Sequence, residues 1–585
     1  MKTFLLAVGG AVIGTIIALV LLVFIAMTAI SGLSKPAPMP DDIVLTLDLR
    51  NTLPDQAPLG GLEALFGQQG FIDVLTKLDA AATDERIKGV FIRGSEFSIG
   101  SSRAEELRSA FLKLKDADKL VVAHSQGSFG GGPSGYRALA AADEIWVQPG
   151  SEMIASGVSF ESLFMKGLLD NLSISPEIEA LYEYKNSPNA YKETDFTEAH
   201  REAMLRLAES IWTLSLEDIA EDRGLSVDSV QSALQSSPIS AERMVELNLA
   251  DNIGWPTTAA DAIREQTNED INFMDISAYR PPSSKFSSPV IAIVGGEGAI
   301  TTGYANTNPL GDSSGILSDT ISDAILEAAR NESVEAIVFR VDSPGGSPTA
   351  SDQIWNAVQI AQTEYDKPVI VSMGALAASG GYYISTGADW IVANRATITG
   401  SIGIFGGKLA YSEGLARIGV NVRSINVGGE FTGAFTSADT FTDEQRVLLQ
   451  AWLKRGYDRF LTLVAEGRDM TFEEVHEQAR GRVWTGEDAM QRGLVDEMGG
   501  LIQAISKARE LADIDPESDV RYMMYPQMGG FSLGGSFASA SRAELKALSQ
   551  LSETLSDPRV AALLEELNAT KSGTIQARMP NIIEK

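Results

Sequence analysis

Two glycine-rich turns in the second half of the chain carry the residue types that acyl-transfer chemistry needs. The first, Asp342-Ser343-Pro344-Gly345-Gly346-Ser347, leaves the apolar run AIVFRV. Paired glycines let a backbone turn its N–H groups into a cleft with no side chain in the way, and amides so presented can hold a developing oxyanion. The alternative is a plain strand-to-helix turn. The second, Ala377-Ala378-Ser379-Gly380-Gly381-Tyr382, follows PVIVSM and sets one hydroxyl among small residues. An expected helix start there favours anionic character at Ser379. Ser379 could serve only as an N-cap, but its small neighbours favour the approach of a substrate, and so a nucleophile.

A serine hydroxyl is a weak nucleophile at neutral pH and needs a base. The chain has three histidines. His124 ends the apolar run LVVAH, and His200 and His476 sit on charged helices expected to face solvent. None stands beside a turn with an obvious orienting acid, which disfavours a Ser-His-Asp triad. Lysine is the next choice, because burial can lower its pKa enough to make it a base.

The elements that must position these turns are written twice. DERIKGVFIR (84–93) parallels NESVEAIVFR (331–340), and the stretch 119–147, ending AADEIWV, parallels 368–393, ending GADWIVA. DFTEAHR (195–201) parallels TFTDEQR (440–446), and ERMVELNLADNIGW (242–255) parallels EDAMQRGLVDEMGG (487–500). Four matches at one offset of about 246 mark a tandem duplication, not a short-period solenoid. Opposite Ser379 the first copy has Pro133, with Ser134 one position away, and opposite SPGG it has Glu96-Phe97-Ser98-Ile99. Lys185 in YEYKNSP falls opposite Glu430. One copy keeps the serine and glycines and the other keeps a lysine, the pattern a single composite site would leave.

Within the second copy, 290–296, 336–342, 368–374 and 389–395 read as buried strands. Ser318–Arg330, Thr349–Thr363 and Thr442–Glu466 read as helices, the first two opening on Ser or Thr near the cap. Apolar strands alternating with helices imply parallel sheets covered by helices, an α/β fold. The copies are expected over 41–280 and 288–515, divided by the Pro/Ser-rich YRPPSSKFSS. A Gly/Ser stretch (528–539) and a helical tail (541–567), within residues 516–585, follow with no evident role.

The chain has 585 residues, no cysteine and a net charge of −31, which argues against nucleic acid and removes disulfides and thiolate sites. Neither clustered metal ligands nor a phosphate-binding fingerprint is found, so no metal or cofactor is expected. Residues 4–30 are uncharged and longer than the ~20 residues of a membrane span. With Lys2 before them, they predict an uncleaved anchor within residues 1–35 that leaves the body outside the cytoplasm, although Ala26-Met27-Thr28-Ala29 resembles a cleavage site.

RVDSPGGS (340–347), MGALAASGGYYIS (373–385), TGSIGIFG (399–406) and YKNSP around Lys185 resemble the signal peptide peptidase SppA (protease IV) family in its long duplicated form. The resemblance spans roughly residues 1 to 515. It implies a tandem Clp/crotonase-like fold behind one transmembrane helix, with Ser379 as nucleophile, Lys185 as base and Ser401 orienting the lysine. It further implies oxyanion amides from Gly380 and the Gly345-Gly346 turn. The expected enzyme is a homotetramer anchored in the bacterial inner membrane, its body in the periplasm, degrading signal-peptide fragments and other small hydrophobic peptides. Asp342, where the family often has Asn, and Leu376 depart from the pattern. Two rival readings stay open: an acyl-CoA enzyme on the crotonase fold, and a catalytically inactive peptide-binding scaffold.

Overall fold

The apolar runs fold into two sheets whose main strands are parallel and share one order, the second extended beyond Leu376–Ala378 by Ile398–Gly400 and, antiparallel to it, Val483–Thr485. In the first, Asn272–Asp275, Ile43–Asp48, Ile87–Gly94, Leu120–Ser125, Glu144–Val147 and Asn252–Ile253 lie side by side. In the second, Arg521–Tyr525, Val290–Glu297, Val334–Ser343, Val369–Ala378, Trp390–Ala393 and Glu497–Met498 repeat that order. The molecule is therefore a mixed α/β protein in which one unit occurs twice. The computed structural model describes residues 39–51, 53–56, 69–94, 99–127, 132–305, 315–516, 518–526, 575–578 and 583–584. The expected anchor at 4–30, the loop residues 96–98, the Gly/Ser stretch and the helix over 541–567 lie outside the described residues. Among those described, no helix is long and apolar enough to cross a membrane.

Strands apolar on both faces must be covered on both. One core cluster runs across the two copies, joining Leu107 and Phe111 of the first to Ile291, Val338, Ile370 and Leu501 of the second. The three expected helices are observed at Ser318–Arg330, Pro348–Thr363 and Asp443–Arg468. Two caps differ from expectation. Ser347, not Thr349, accepts the Ala350 N–H at 3.3 Å, and Ser318 spends its hydroxyl on Gln353 at 2.9 Å.

The expected exposure of two histidines is also corrected. His200 is 3% exposed, because it shares the buried face of helix Glu198–Arg223 with Ala203, Met204 and Leu207. His476 is half-buried, with Nδ1 2.9 Å from the Tyr457 hydroxyl. The charged neighbours that suggested exposure occupy the opposite faces of these helices.

A third, mixed sheet joins the copies. Its order is Ile316–Leu317, Ile300–Thr301, Gly345–Gly346, Ile575–Arg578, Phe405–Ala410 and Ser175–Ala180. Ser175–Ala180 of the first copy runs antiparallel to Phe405–Ala410 of the second, from Ser175 opposite Ala410 to Ala180 opposite Phe405. Glu177 and Glu179 on this strand pair with Arg446 of the second copy's long helix. This cross-copy ladder brings the chain after Ala180 to the end of the strand Val369–Ala378.

Candidate active site

Beyond Ala180 the Leu181 N–H donates to Ile404 O at 3.2 Å, and Tyr182 takes a left-handed φ of 66°. Glu183 pairs with Arg480, and the Arg482 guanidinium lies 4.8 Å from the Tyr184 ring centre. The turn so held buries Lys185, which is 2% exposed. Its backbone lies against Gly481, where a Cβ would sit 2.6 Å from Lys185 Cα. Gly481 has φ +85°, so both space and conformation require glycine there. Sequence reasoning missed this residue, since a lone glycine in ARGRVW carries no signal without knowing what packs on it.

The strand Val369–Ala378 ends at Ser379, whose φ of 57° and ψ of −115° are strained for a residue with a side chain. Such a conformation costs about 1–3 kcal/mol and persists only where the surroundings enforce it. Here the Ser379 N–H donates to Gly400 O at 2.8 Å, and its carbonyl accepts from Tyr383 N–H at 2.9 Å. Ser379 stands at the cap position of the short helix Gly380–Ser385, but its hydroxyl makes no capping bond. A Cβ on Gly380 would lie 2.8 Å from Ser351 Oγ and 2.9 Å from Gly346 N, and one on Gly381 would lie 2.7 Å from Ser343 O. Both positions after the serine therefore exclude any larger residue.

The hydroxyl points elsewhere. Lys185 Nζ lies 2.8 Å from Ser379 Oγ and 3.1 Å from both the carbonyl and the hydroxyl oxygens of Ser401. Both serines are fully buried. Burial holds the Lys185 pKa well below the usual lysine range. A neutral amine has two N–H groups, suited to the two Ser401 oxygens, and one lone pair, suited to the Ser379 proton. Ser401 is fixed in turn, with φ 49° and its N–H on Arg482 O at 2.7 Å.

The glycine turn approaches from the other side. Gly345 has φ +97° and its N–H donates to Ser343 Oγ at 3.1 Å, so this amide is already engaged. Ser347 N–H donates to Ile300 O at 2.8 Å, and strand alternation leaves the Gly346 N–H on the opposite edge. Of the expected oxyanion glycines, Gly346 and Gly380 therefore converge and Gly345 shapes the turn. Asp342 links this turn to the nucleophile strand. Its Oδ1 accepts from Leu376 N–H at 3.0 Å, and its other oxygen lies 3.6 Å from Arg103 of the first copy.

The equivalent place in the first copy is differently furnished. Pro133 precedes the helix Ser134–Ala140, and Ser134 Oγ lies 2.6 Å from Ser101 Oγ, a hydroxyl and not a base. Glu430 is exposed, and buried His124 has Nε2 3.1 Å from Gly254 O.

The profile of Peptidase family S49 matches residues 113–270 and 361–515, once in each copy. Protease 4 of Salmonella typhi is 31% identical over 509 residues, covering 80% of this chain and 78% of that protein. Protease 4 of Haemophilus influenzae is 30% identical over 460 residues, covering 75% and 73%. The chloroplastic serine protease SPPA of Arabidopsis thaliana is 27% identical over 555 residues, covering 92% and 78%. Sheets, site and relatives together define a serine peptidase. The chain belongs to peptidase family S49, within the SppA/protease IV group.

Proposed function

We propose that this chain is a membrane-anchored serine endopeptidase working through a Ser379–Lys185 dyad. The observation that carries the reading is the 2.8 Å contact between a buried amine and the hydroxyl of a strained serine. Neutral Lys185 takes the Ser379 proton as Oγ attacks a peptide carbonyl. The Gly346 and Gly380 N–H groups receive the oxyanion, where one such donor can contribute about 3–4 kcal/mol in the transition state. Lys185 then protonates the leaving amine, and water, deprotonated by the same amine, releases the acyl group and restores Ser379. Ser401 holds the amine in position throughout.

The proposed substrates are cleaved signal peptides and other small hydrophobic peptides. Support comes from the apolar residues beside the serine, where half-buried Leu376, Phe160 and Tyr184 pack against buried Ala378 and Met204. On this reading residues 4–30 anchor the chain in a bacterial inner membrane, and the body works in the periplasm as a tetramer, its repeats sharing the Clp/crotonase type of fold.

The test is hydrolysis of a short hydrophobic peptide by wild type, Ser379→Ala and Lys185→Ala. Each variant should lose at least ~10³-fold in kcat/KM while remaining folded, the scale on which nucleophile and base removals act. Full activity in Lys185→Ala would place the base elsewhere. A wild type inert on every peptide would favour the scaffold reading.

A further inference from the structure

Lys185 is not the first copy's only contact with the candidate site. The start of its helix Ser101–Asp116 lies against the strand that carries Ser379. Between Val334–Ser343 and Val369–Ala378 the ladder reaches Val341 opposite Met373, then resumes at Ser343 opposite Ala377. Asp342 alone therefore faces three residues of the neighbouring strand, Gly374, Ala375 and Leu376. Such bulges bend a strand and re-aim the side chains beyond them, and they recur beside active sites. Only Ala377 and Ala378 separate this one from Ser379.

A bulge takes backbone groups out of the ladder, and buried ones need other partners. The Leu376 N–H finds Asp342 Oδ1 at 3.0 Å. Gly374 O accepts from Thr397 Oγ1 at 2.7 Å and from Ser102 Oγ of the first copy at 3.1 Å. A Cβ on Gly374 would lie 3.0 Å from both Cγ and Oδ2 of Asp342, so the carboxylate packs directly on the bulged backbone. Oδ2 also lies 3.6 Å from Arg103. That guanidinium is held in turn by Leu53 O and by Glu297 at 3.4 Å, with Asp55 at 4.0 Å.

The backbone of Asp342 bears on the glycine turn as well. Its carbonyl accepts from the Gly298 N–H at 2.9 Å. Ser343 Oγ donates to Gly298 O at 2.7 Å and accepts from the Gly345 N–H at 3.1 Å. One residue thus stands between the strand that ends at the nucleophile and the turn that carries the Gly346 amide.

We propose that Asp342 is a positioning residue for acyl transfer, which by accepting the Leu376 N–H fixes the bulge at 374–376 and with it the placement of Ser379 relative to the Gly346 amide. The part played in catalysis rests on the Ser379–Lys185 reading; the hold on the bulge does not. A displacement of about 1 Å at a reacting group can cost ~10²-fold in rate. Loss of Asp342 is therefore felt in kcat, while KM stays close to its wild-type value.

The experiment compares Asp342→Ala, which removes the acceptor, with Asp342→Asn, which keeps one, both in the full chain. On a short hydrophobic peptide Asp342→Ala should lose ~10²-fold in kcat with KM within ~2-fold of wild type, and Asp342→Asn should recover kcat to within ~5-fold. Hydrogen–deuterium exchange over residues 373–379, read by mass spectrometry, needs no catalysis. Uptake there should rise in Asp342→Ala and stay at the wild-type level in Asp342→Asn. A merely structural role would lower stability in urea and leave kcat per folded molecule unchanged. Wild-type kcat in Asp342→Ala, an equal loss in the alanine and asparagine variants, or unchanged exchange over 373–379 overturns the proposal. A failed dyad would show separately, as hydrolysis surviving in Ser379→Ala, with the exchange arm still deciding whether Asp342 holds the bulge.

Discussion

Lys185 is prepared for its proposed role by conditions that work against the fold. In the unfolded chain a lysine keeps its proton up to about pH 10.4, whereas burial in the folded chain makes it release that proton at a lower pH. Between the two values the unfolded state holds the extra proton, so stability rises with pH across that window. Lys185→Met removes this linkage. The variant should be more stable than wild type near neutral pH in urea unfolding, and its advantage should shrink as pH approaches ~10.4. Parallel curves for the two proteins would show that Lys185 is protonated in the fold. Peptidase activity should move the same way, rising with pH as the amine becomes neutral. At this scale Ser379, Gly346 and Gly380 were legible because their signals are local, a hydroxyl or amide flanked by glycines after an apolar run. Lys185 became legible only through what the second copy lacks. Gly481 and the Arg482 carbonyl were not legible, since their meaning comes from remote partners, Lys185 for the glycine and the Ser401 N–H for the carbonyl.

The elements are held in register by buried charge as well as by apolar packing. Arg340, in the middle strand of the second sheet, is fully buried and meets two acids of the first copy. Its Nε and Nη2 donate to Asp55 at 2.9 and 3.0 Å, and Nη2 also reaches Glu106 at 2.8 Å. Glu106 accepts in addition from Asn394 at 3.1 Å and from the Leu501 N–H at 3.1 Å. Arg340→Met would leave buried Glu106 without its counter-ion and buried Asp55 with only Arg103, at 4.0 Å, a loss of about 3–5 kcal/mol. Urea unfolding measures it directly; a loss under about 1 kcal/mol would mean that water or a neighbouring base takes the guanidinium's place. The central strands were readable from sequence because strands buried on both faces leave near-continuous apolar runs. The ladder between Ser175–Ala180 and Phe405–Ala410 was not, because SPEIEA is polar and its partner is remote. That one unread strand decides whether Lys185 reaches Ser379 at all.

In the whole molecule, the Ser–Lys reading means that duplication has been followed by division of labour. The proposed dyad pairs Lys185 and Ser379 of the same chain, so mixing Ser379→Ala with Lys185→Ala protein should restore no hydrolysis; recovery to a substantial fraction of wild type would mean that neighbouring chains exchange halves. The same geometry bears on the order in which the protein is made. Lys185 precedes Ser379 by 194 residues, and the strand that brings them together cannot pair until Phe405–Ala410 has been synthesised. On the Ser–Lys reading, a ribosome-bound chain exposing only its first repeat has a base with nothing to activate. Proteolytic capacity thus arrives late in synthesis, after most of the chain has been made, which spares the emerging polypeptide from its own active site.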